Sequence, residues 1–179
     1  MSSVTESKTR EFEHEVLPHL SAAYRLALWL TRNPTAAQDV VQDSYLRAFR
    51  AWNSFETGNV RGWLLTIVRR QSYSFLRRGR KQVHLDINDE TAMSPDDVRH
   101  LSHESTPEKV LIQGQSVEAL RAALLALPTV FREVIILKDI EDMPYKAIAA
   151  ILEVPIGTVM SRLARGRDLL RQGLKEVRS

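Results

Sequence analysis

The sequence lacks cysteine and any long hydrophobic run, and both absences exclude classes of protein. With no cysteine among its 179 residues, the chain can form neither disulfides nor thiolate metal sites. Its five histidines are not spaced as helix-borne ligand pairs, so we expect no metal and no cofactor. No stretch of about 18 consecutive apolar residues occurs, and the segment from Met1 to Glu15 is polar. We therefore expect no signal peptide, no direct membrane insertion and a cytoplasmic location.

What is present is the composition of a soluble globular protein whose charge is concentrated in blocks. Apolar residues make up 44% of the chain and charged residues 26%, and the formal net charge is only +3. All charges in residues 61–81 are basic, residues 82–109 are mostly acidic, and basic residues dominate again in 156–179. Charges of one sign that lie close together add their fields. The sequence thus predicts two basic surfaces joined by an acidic connector.

Helical periodicity runs through the N-terminal half, and no alternating strand pattern competes with it. Apolar residues at helical spacing predict a first helix that begins near Leu20 and ends at Asn33-Pro34. A second helix is predicted to start at Thr35 as its N-cap and to run to Trp52. Residues 53–62 are typical of a loop, and a third helix follows from Trp63. These elements indicate a helical bundle.

The second half begins after a stretch with few apolar residues, which is typical of a linker. Helices are then predicted over residues 110–127, 131–137 and 145–152, and from residue 156 onward. We expect an all-α fold: two small helical domains joined by a flexible acidic linker, the C-terminal domain carrying a helix-turn-helix. The predicted boundaries are 1–81, 82–109 and 110–179.

The predicted helix-turn-helix spans about Tyr145 to Arg171. Its inner face is supplied by apolar residues, and Pro155 stands at the start of the second helix, where a missing N–H costs little. The outer positions carry residues that suit phosphates and base edges: Thr158, Met160, Ser161, Arg162 and Arg165. An arginine-rich amphipathic helix can equally be a solvated face. The turn chemistry and the second basic segment favour DNA binding.

The same region resembles the C-terminal domain of bacterial extracytoplasmic-function (ECF) sigma factors, members of the sigma-70 family. The resemblance lies in LPTVFREV at 127–134, YKAIA at 145–149 and PIGTVMSRLARGR at 155–167. It implies a domain that reads the −35 promoter element with the second helix of the motif. Met160 stands where the family usually carries lysine or arginine, so the promoter sequence stays open.

The N-terminal half is similar to the same family. The segment DVVQDSYLRAF at 39–49 resembles the helix by which sigma factors dock on the clamp helices of the largest RNA polymerase subunit. Asp39 and Asp43 are one helical turn apart with Gln42 beside them, so the three form one acidic and amide patch. Such a patch could pair with a basic partner helix, although two carboxylates at this spacing are often only a solvated face.

The segment WLLTIVRR at 63–70 and the residues that follow it resemble the promoter-melting element of the family. Holding an unpaired −10 strand asks for cations along the backbone and a surface for extruded bases. The resemblance assigns this role to Arg61, Trp63, Arg69, Arg70, Ser74, Arg77 and Arg78. Trp63 at this position is open to a second interpretation, as an anchor in the core.

The leading hypothesis is an alternative sigma factor that acts by binding and has no catalytic residues and no small-molecule substrate. Its implied partners are core RNA polymerase, promoter DNA and an anti-sigma factor. Two alternatives stay open: a free-standing, dimeric helix-turn-helix regulator, and a sigma mimic that sequesters an anti-sigma factor. The regulator leaves the acidic patch and the basic segment at 61–81 without a role. The mimic would not need the basic reading face.

Overall fold

The computed structural model describes residues 2–56, 58–82 and 107–176, and within these ranges the backbone forms only helices and turns. This confirms the all-α fold. Most of the predicted linker, residues 83–106, lies outside the described residues. The chain divides into two compact units, the first built from the N-terminal helices and the second containing nearly all of residues 107–176. Each unit is described by itself.

The first unit is a bundle of four helices joined by short turns. Their bounds are α1 (Ser2–Val16), α2 (Leu20–Thr31), α3 (Pro34–Ala51) and α4 (Val60–Gln82), with single 3-10 turns at Leu17–His19 and Trp52–Ser54. Helices α2, α3 and α4 all pack against one another. Fully buried Leu26, Leu64 and Leu65 lie in their shared core, where burial of apolar area supplies the main stabilising free energy.

Two asparagines fix the starts of α3 and α4. The Asn33 side chain accepts a hydrogen bond from the Ala36 N–H at 2.9 Å, so Asn33 is the N-cap of α3 and the prediction of Thr35 was wrong. Asn33 is a better N-cap than Thr35 because Pro34 then occupies the first helical position, which suits proline. Asn59 accepts from the Gly62 N–H at 2.9 Å in the same way. Helix α4 therefore begins at Val60, inside the segment predicted as a loop.

Helix α1 was not predicted from the sequence. Its residues are mostly polar, and Phe12 and Val16, one turn apart, are its buried apolar side chains among those described. Two anchors are too few to produce a periodic pattern over a window of helical length. Tertiary contacts stabilise the helix, including a hydrogen bond of 3.0 Å from the Tyr45 hydroxyl to the Val16 carbonyl.

The second unit contains the helix-turn-helix and the two helices that support it. Its elements are α5 (Pro107–Ala126), α6 (Thr129–Ile135), a π turn at Ile136–Ile140, α7 (Tyr145–Leu152) and α8 (Ile156–Glu176). Helix α8 packs against both α5 and α6. Gly166 permits the close approach to α6, because a Cβ at this position would lie 3.0 Å from the Ile135 Cδ1 atom.

A buried arginine closes the end of α5. Arg132 is fully buried, and its guanidinium donates to the carbonyls of Leu124 at 3.0 Å, Leu125 at 3.3 Å and Leu127 at 2.7 Å. The last carbonyls of a helix lack intrahelical partners and carry a partial negative charge. The cation therefore satisfies the C-terminus of α5 and fixes the turn into α6.

Among the described residues, no single helix is long and apolar enough to cross a membrane, and only the bent pair α7–α8 reaches such a length and composition.

Candidate nucleic-acid interface

Helices α7 and α8 form a helix-turn-helix with the geometry that the motif requires. Their axes meet at 97°, within the range of about 90–120° typical of this motif. Glu153 ends α7 in the left-handed conformation, with φ of 57°, and the Val154 N–H donates to the Ala149 carbonyl at 3.1 Å. Ile148, Val159 and Leu163 are buried, so the two helices present apolar inner faces, as the sequence predicts.

Four of the five predicted reading residues share one side of α8. Successive residues of an α-helix are about 100° apart, so Thr158, Ser161, Arg162 and Arg165 lie within an arc of about 100°. This arc adjoins the side that carries the buried Val159 and Leu163. Met160 is 53% exposed but projects about 100° around the helix from Ser161. The first four residues are called the α8 reading face below, and Met160 borders it.

The side chains of the α8 reading face differ in their contacts. The Ser161 hydroxyl donates to the Thr158 carbonyl at 3.1 Å, so this hydroxyl can still accept from a ligand donor. The Arg165 guanidinium lies 5.8 Å from the centre of the Phe131 ring, a cation–π geometry that restricts its directions. Arg162 is half-buried and makes no ion pair with any residue that the structure describes.

Arg167 is removed from the basic surface by an ion pair that the sequence did not indicate. Its guanidinium binds the Asp139 carboxylate through two hydrogen bonds, the Nε bond being 3.1 Å long. Hydrogen bonding to Asp139 raises the pKa of Arg167. Arg171 is paired with Asp168 at 3.0 Å. The cations of α8 that remain for a polyanion are therefore concentrated at Arg162 and Arg165.

Helix α4 presents a second polar face, with arginines over several turns. The spacing places Trp63, Arg70, Ser74 and Arg77 on one side of the helix, with Arg78 at its border. Arg70, Arg77 and Arg78 are exposed, and the Arg77 guanidinium donates to the Ser74 hydroxyl at 3.1 Å. These five residues are called the α4 outer face below.

Two residues predicted for this role lie elsewhere. The Arg69 guanidinium lies 4.8 Å from the centre of the Tyr73 ring, on the flank of α4. Arg61 is half-buried near His19, where burial first and the Arg61 charge second lower the histidine pKa. The structure thus does not place Arg61 and Arg69 with the α4 outer face.

Trp63 is part of a cluster of aromatic rings at the start of α4. Its ring centre lies 4.6 Å from that of Phe55 and 6.0 Å from that of Trp52. Trp52 is buried, whereas Phe55 and Trp63 are half-buried. One side of the Trp63 ring is therefore used for packing, while its partial exposure leaves area at the surface.

The acidic and amide patch of α3 lies beside an exposed leucine. Asp39, Gln42 and Asp43 are all exposed, and Leu46 follows on the same side of the helix. Leu46 is 51% exposed, although a leucine at helical spacing predicts burial. Leu46 lies three residues after Asp43 and seven after Asp39. This helical spacing is the sequence signal that places it on the same side of α3 as the two acids. These four residues are called the α3 docking face below.

Two clefts adjoin the α3 docking face. One of about 430 Å³ brings Asp39, Gln42 and Asp43 together with Gln71, Phe75 and Arg78 of α4. The other, of about 410 Å³, is mainly apolar and is lined by residues of α2 and α3, including Leu20, Tyr24 and Tyr45. The first cleft therefore has acidic residues on one wall and an arginine of the α4 outer face on the other.

Comparison with known proteins finds one family match in each half of the chain. Residues 16–82 match the sigma-70 region 2 family model, and residues 117–170 match the sigma-70 region 4 family model. The chain is 35% identical over 159 residues to the ECF RNA polymerase sigma factor SigE of Mycolicibacterium smegmatis, covering 89% of this chain and 60% of that protein. It is 30% identical over 154 residues to the ECF RNA polymerase sigma-E factor of Haemophilus influenzae, covering 85% of this chain and 80% of the relative.

A solved structure agrees with the sequence relatives. The sigma factor RpoE of Bartonella quintana, in its complex with the anti-sigma factor NepR, superposes with a TM-score of 0.75 and 31% identity, covering 93% of this chain and 98% of the other. The shared fold, the two family matches and the relatives together show that this chain belongs to the ECF sigma factors of the sigma-70 family.

Proposed function

We propose that the chain is a promoter-specificity subunit: it binds core RNA polymerase, reads two promoter elements and opens the DNA at one of them. It is an alternative sigma factor that works in the cytoplasm, where its polymerase acts, and it uses binding free energy without catalysing a reaction. Region 2 functions are assigned to residues 1–81, region 4 functions to 110–179, and 82–109 is the linker.

The α3 docking face supplies the polymerase contact in this proposal. Asp39 and Asp43 pair with basic residues of the clamp helices in the largest subunit, and Gln42 donates or accepts hydrogen bonds beside them. Exposed Leu46 adds apolar area to the contact. A charged rim around an apolar centre is a common organisation of protein interfaces.

The α4 outer face holds the unpaired −10 strand. Arg70, Arg77 and Arg78 are exposed and lie along the helix where they can follow a phosphate backbone. Ser74 and the exposed part of Trp63 supply contacts to bases. Arg61 and Arg69 contribute positive potential from the flanks, since charges of one sign add their fields at short range.

The α8 reading face holds the −35 element in the major groove. Thr158 and Ser161 lie in the first two turns of α8, near the positive end of the helix dipole, where hydroxyls commonly contact phosphates. Arg162 and Arg165 can reach phosphates or the guanine edge. Met160, at the border, is placed to meet an apolar group such as a thymine methyl.

One observation carries the proposal: the acidic and amide residues of the α3 docking face and Arg78 of the α4 outer face line the same cleft. A free-standing helix-turn-helix regulator has no use for an acidic docking face beside a basic DNA face. A polymerase subunit requires both, since the DNA must be opened on the surface of the enzyme. The cationic α8 reading face argues against a mimic that never meets DNA.

Reconstituted transcription tests the proposal. Core polymerase is mixed with the protein and with genomic fragments, and run-off transcripts are sequenced. We expect transcripts that start at defined promoters only when the protein is present. Binding to core without any promoter-dependent transcript would leave the mimic as the better hypothesis. Specific binding to paired half-sites without polymerase would favour the regulator.

Charge reversal at the α3 docking face tests its role separately. Asp43→Arg should weaken binding to core polymerase at least tenfold, because a like charge then faces the basic partner helix. Fluorescence anisotropy of labelled protein titrated with core measures this affinity. Glu13→Arg is the matched control, since Glu13 is also an exposed acid of the first unit but lies on α1. Equal affinities of the two variants would refute the docking role.

Regulation by an anti-sigma factor is part of the proposal. Support comes from the Bartonella quintana relative, whose structure contains its anti-sigma factor NepR. An anti-sigma factor that covers the α3 docking face or the α8 reading face would block transcription without any change in the fold.

A further inference from the structure

Four aromatic rings form a continuous path from α1 to the α4 outer face. The Phe12 ring meets the Trp52 ring edge-to-face, with 5.5 Å between centres and planes at 83°. Trp52 stacks on Phe55 at 5.5 Å with planes only 13° apart. Phe55 then contacts Trp63 at 4.6 Å. Each pair has a distance and an angle at which aromatic rings attract one another.

Phe12 is the end of this path that lies farthest from the DNA face. It is 6% exposed, so it has little surface with which to touch a strand. Its ring also meets Phe49 at 5.2 Å and Tyr45 at 6.3 Å, both edge-to-face. Phe12 is therefore held by three rings of the segment 45–52 at once.

Helix α1 is fixed against α3 at both sides of Phe12. The Lys8 ammonium lies 5.1 Å from the centre of the Phe49 ring, and the Tyr45 hydroxyl donates to the Val16 carbonyl. Phe12 lies before residue 16, where the region 2 match begins. The match thus gives Phe12 no role.

The other end of the path is the start of α4. Asn59 caps this helix through the Gly62 N–H, and Trp63 follows in its first turn on the α4 outer face. Trp52 and Phe55 belong to the connection between α3 and α4, and both of their rings pack against Trp63.

We propose that Phe12 is a positioning residue for promoter opening: through Trp52 and Phe55 it holds Trp63 and the start of α4 where they meet the unpaired −10 strand. The inference rests on the proposed function. It assigns to α1 a role in the DNA step that is separate from docking on polymerase, and one that buried Phe12 exerts through its neighbours.

The test compares holoenzymes assembled with wild-type protein, Phe12→Ala, Phe12→Leu and Phe12→Tyr. The probe is the single-stranded non-template −10 segment of a promoter found in the transcription experiment. Loss of aromatic contacts in Phe12→Ala should weaken binding of this strand about three- to tenfold. Affinity for core polymerase should stay within about twofold. Phe12→Tyr should restore strand binding, because it keeps the ring.

Val16→Ala is the matched control for loss of packing by α1. Val16 is fully buried on the same helix but has no aromatic ring with which to hold Trp52. We expect this variant to bind the strand as wild type does. Equal losses in Phe12→Ala and Val16→Ala would show that α1 acts only through general stability, and the inference would be wrong.

Phe12→Leu keeps the test decisive if Phe12→Ala does not fold. Leucine retains apolar volume but has no ring edge, so strand binding should fall in a folded protein. Normal strand binding by folded Phe12→Leu overturns the inference while leaving the proposed function intact. If wild-type holoenzyme itself does not bind the strand, the proposed function of the α4 outer face has failed instead.

Discussion

Three arginines of the second unit meet three different environments. Arg132 is fully buried against the carbonyls that end α5. Arg167 is held by Asp139, and Arg165 is exposed over the Phe131 ring. Because the environments differ, the first arginine stabilises the fold, the second neutralises an acid and the third keeps its charge available. Sequence alone shows three cations in one basic half.

Replacing Arg132 should destabilise the second unit strongly. Arg132→Met keeps much of the side-chain volume but removes the hydrogen bonds to the carbonyls of Leu124 and Leu127, and hydrogen bonds to a charged group contribute about 1.5–3 kcal/mol each. We expect the free energy of unfolding to fall by about 3 kcal/mol, measured by urea denaturation followed by circular dichroism. Arg162→Met, on half-buried Arg162, should change it by less than about 0.5 kcal/mol. Similar values for both variants would contradict the capping role.

The Tyr45 hydroxyl should make the first unit sensitive to alkaline pH. Burial raises the pKa of Tyr45 to about 12 from 10.0. A raised pKa in the folded state means that the unfolded chain ionises first, so this stabilisation is complete below pH 10 and is lost as pH rises from 10 to 12. Urea midpoints followed by tryptophan fluorescence report on this unit alone, since Trp29, Trp52 and Trp63 all lie in it. Tyr45→Phe should lose less stability than wild type over that interval, and an equal loss would contradict the assignment.

Close packing of α6 on α8 depends on a single glycine. A Cβ at Gly166 would lie 3.0 Å from the Ile135 Cδ1 atom and 3.3 Å from the Phe131 Cβ atom. Ile135 and Phe131 would have to move by a few tenths of an ångström, and a shift of Phe131 would also change its position under Arg165. The position of Gly166 thus connects helix packing with the α8 reading face.

Gly166→Ala should destabilise the second unit by about 1–3 kcal/mol, the usual range for overpacked sites. Gly173→Ala on the same helix is the matched control, because its added Cβ would make an ordinary contact of 3.6 Å with Ala123. The control should be as stable as wild type or more stable, since alanine favours a helix over glycine. Thermal unfolding followed by circular dichroism at 222 nm compares them. A Gly166→Ala protein as stable as the control would show that α6 accommodates the added methyl group without loss of stability.

Elements with regular apolar spacing could be predicted from the sequence, whereas those set by a few tertiary contacts could not. Helices α2, α7 and α8 lie where the pattern of buried residues indicated. Helix α1 could not be predicted because only Phe12 and Val16 are buried apolar residues among its described side chains. The first residues of α3 and α4 are set by asparagine side chains, and a sequence offers several candidate N-caps near the start of each helix.

In the candidate site, too, some features could be predicted from the sequence and others could not. Residue type and helical spacing were enough to group Thr158, Ser161 and Arg165, because both follow directly from the sequence. The pairing of Arg167 with Asp139 spans two elements far apart in the chain, and no local pattern predicts such a contact. The exposure of Leu46 was missed for a related reason: a leucine at helical spacing predicts burial, and the neighbouring helices decide otherwise.

The whole molecule combines two small units, each with few residues that can contact DNA. Binding of either unit alone should be weak, while attachment of both to one polymerase raises the effective concentration of each at its promoter element. Under this proposal, the α8 reading face and the α4 outer face act on different parts of one promoter. Their effects must therefore be separable by changing the DNA.

A protein–promoter cycle tests that separation. On an intact promoter, Arg165→Ala should lower transcription by a factor that corresponds to about 1–3 kcal/mol if the arginine contacts a base. On the same promoter with its −35 element replaced, Arg165→Ala should cause no further loss, because the contact is already absent. Arg77→Ala should lower transcription from both promoters by the same factor. Arg171→Ala, an exposed arginine of α8 paired with Asp168, is the control and should change neither. An equal effect of Arg165→Ala on both promoters would show that the α8 reading face does not read the −35 element.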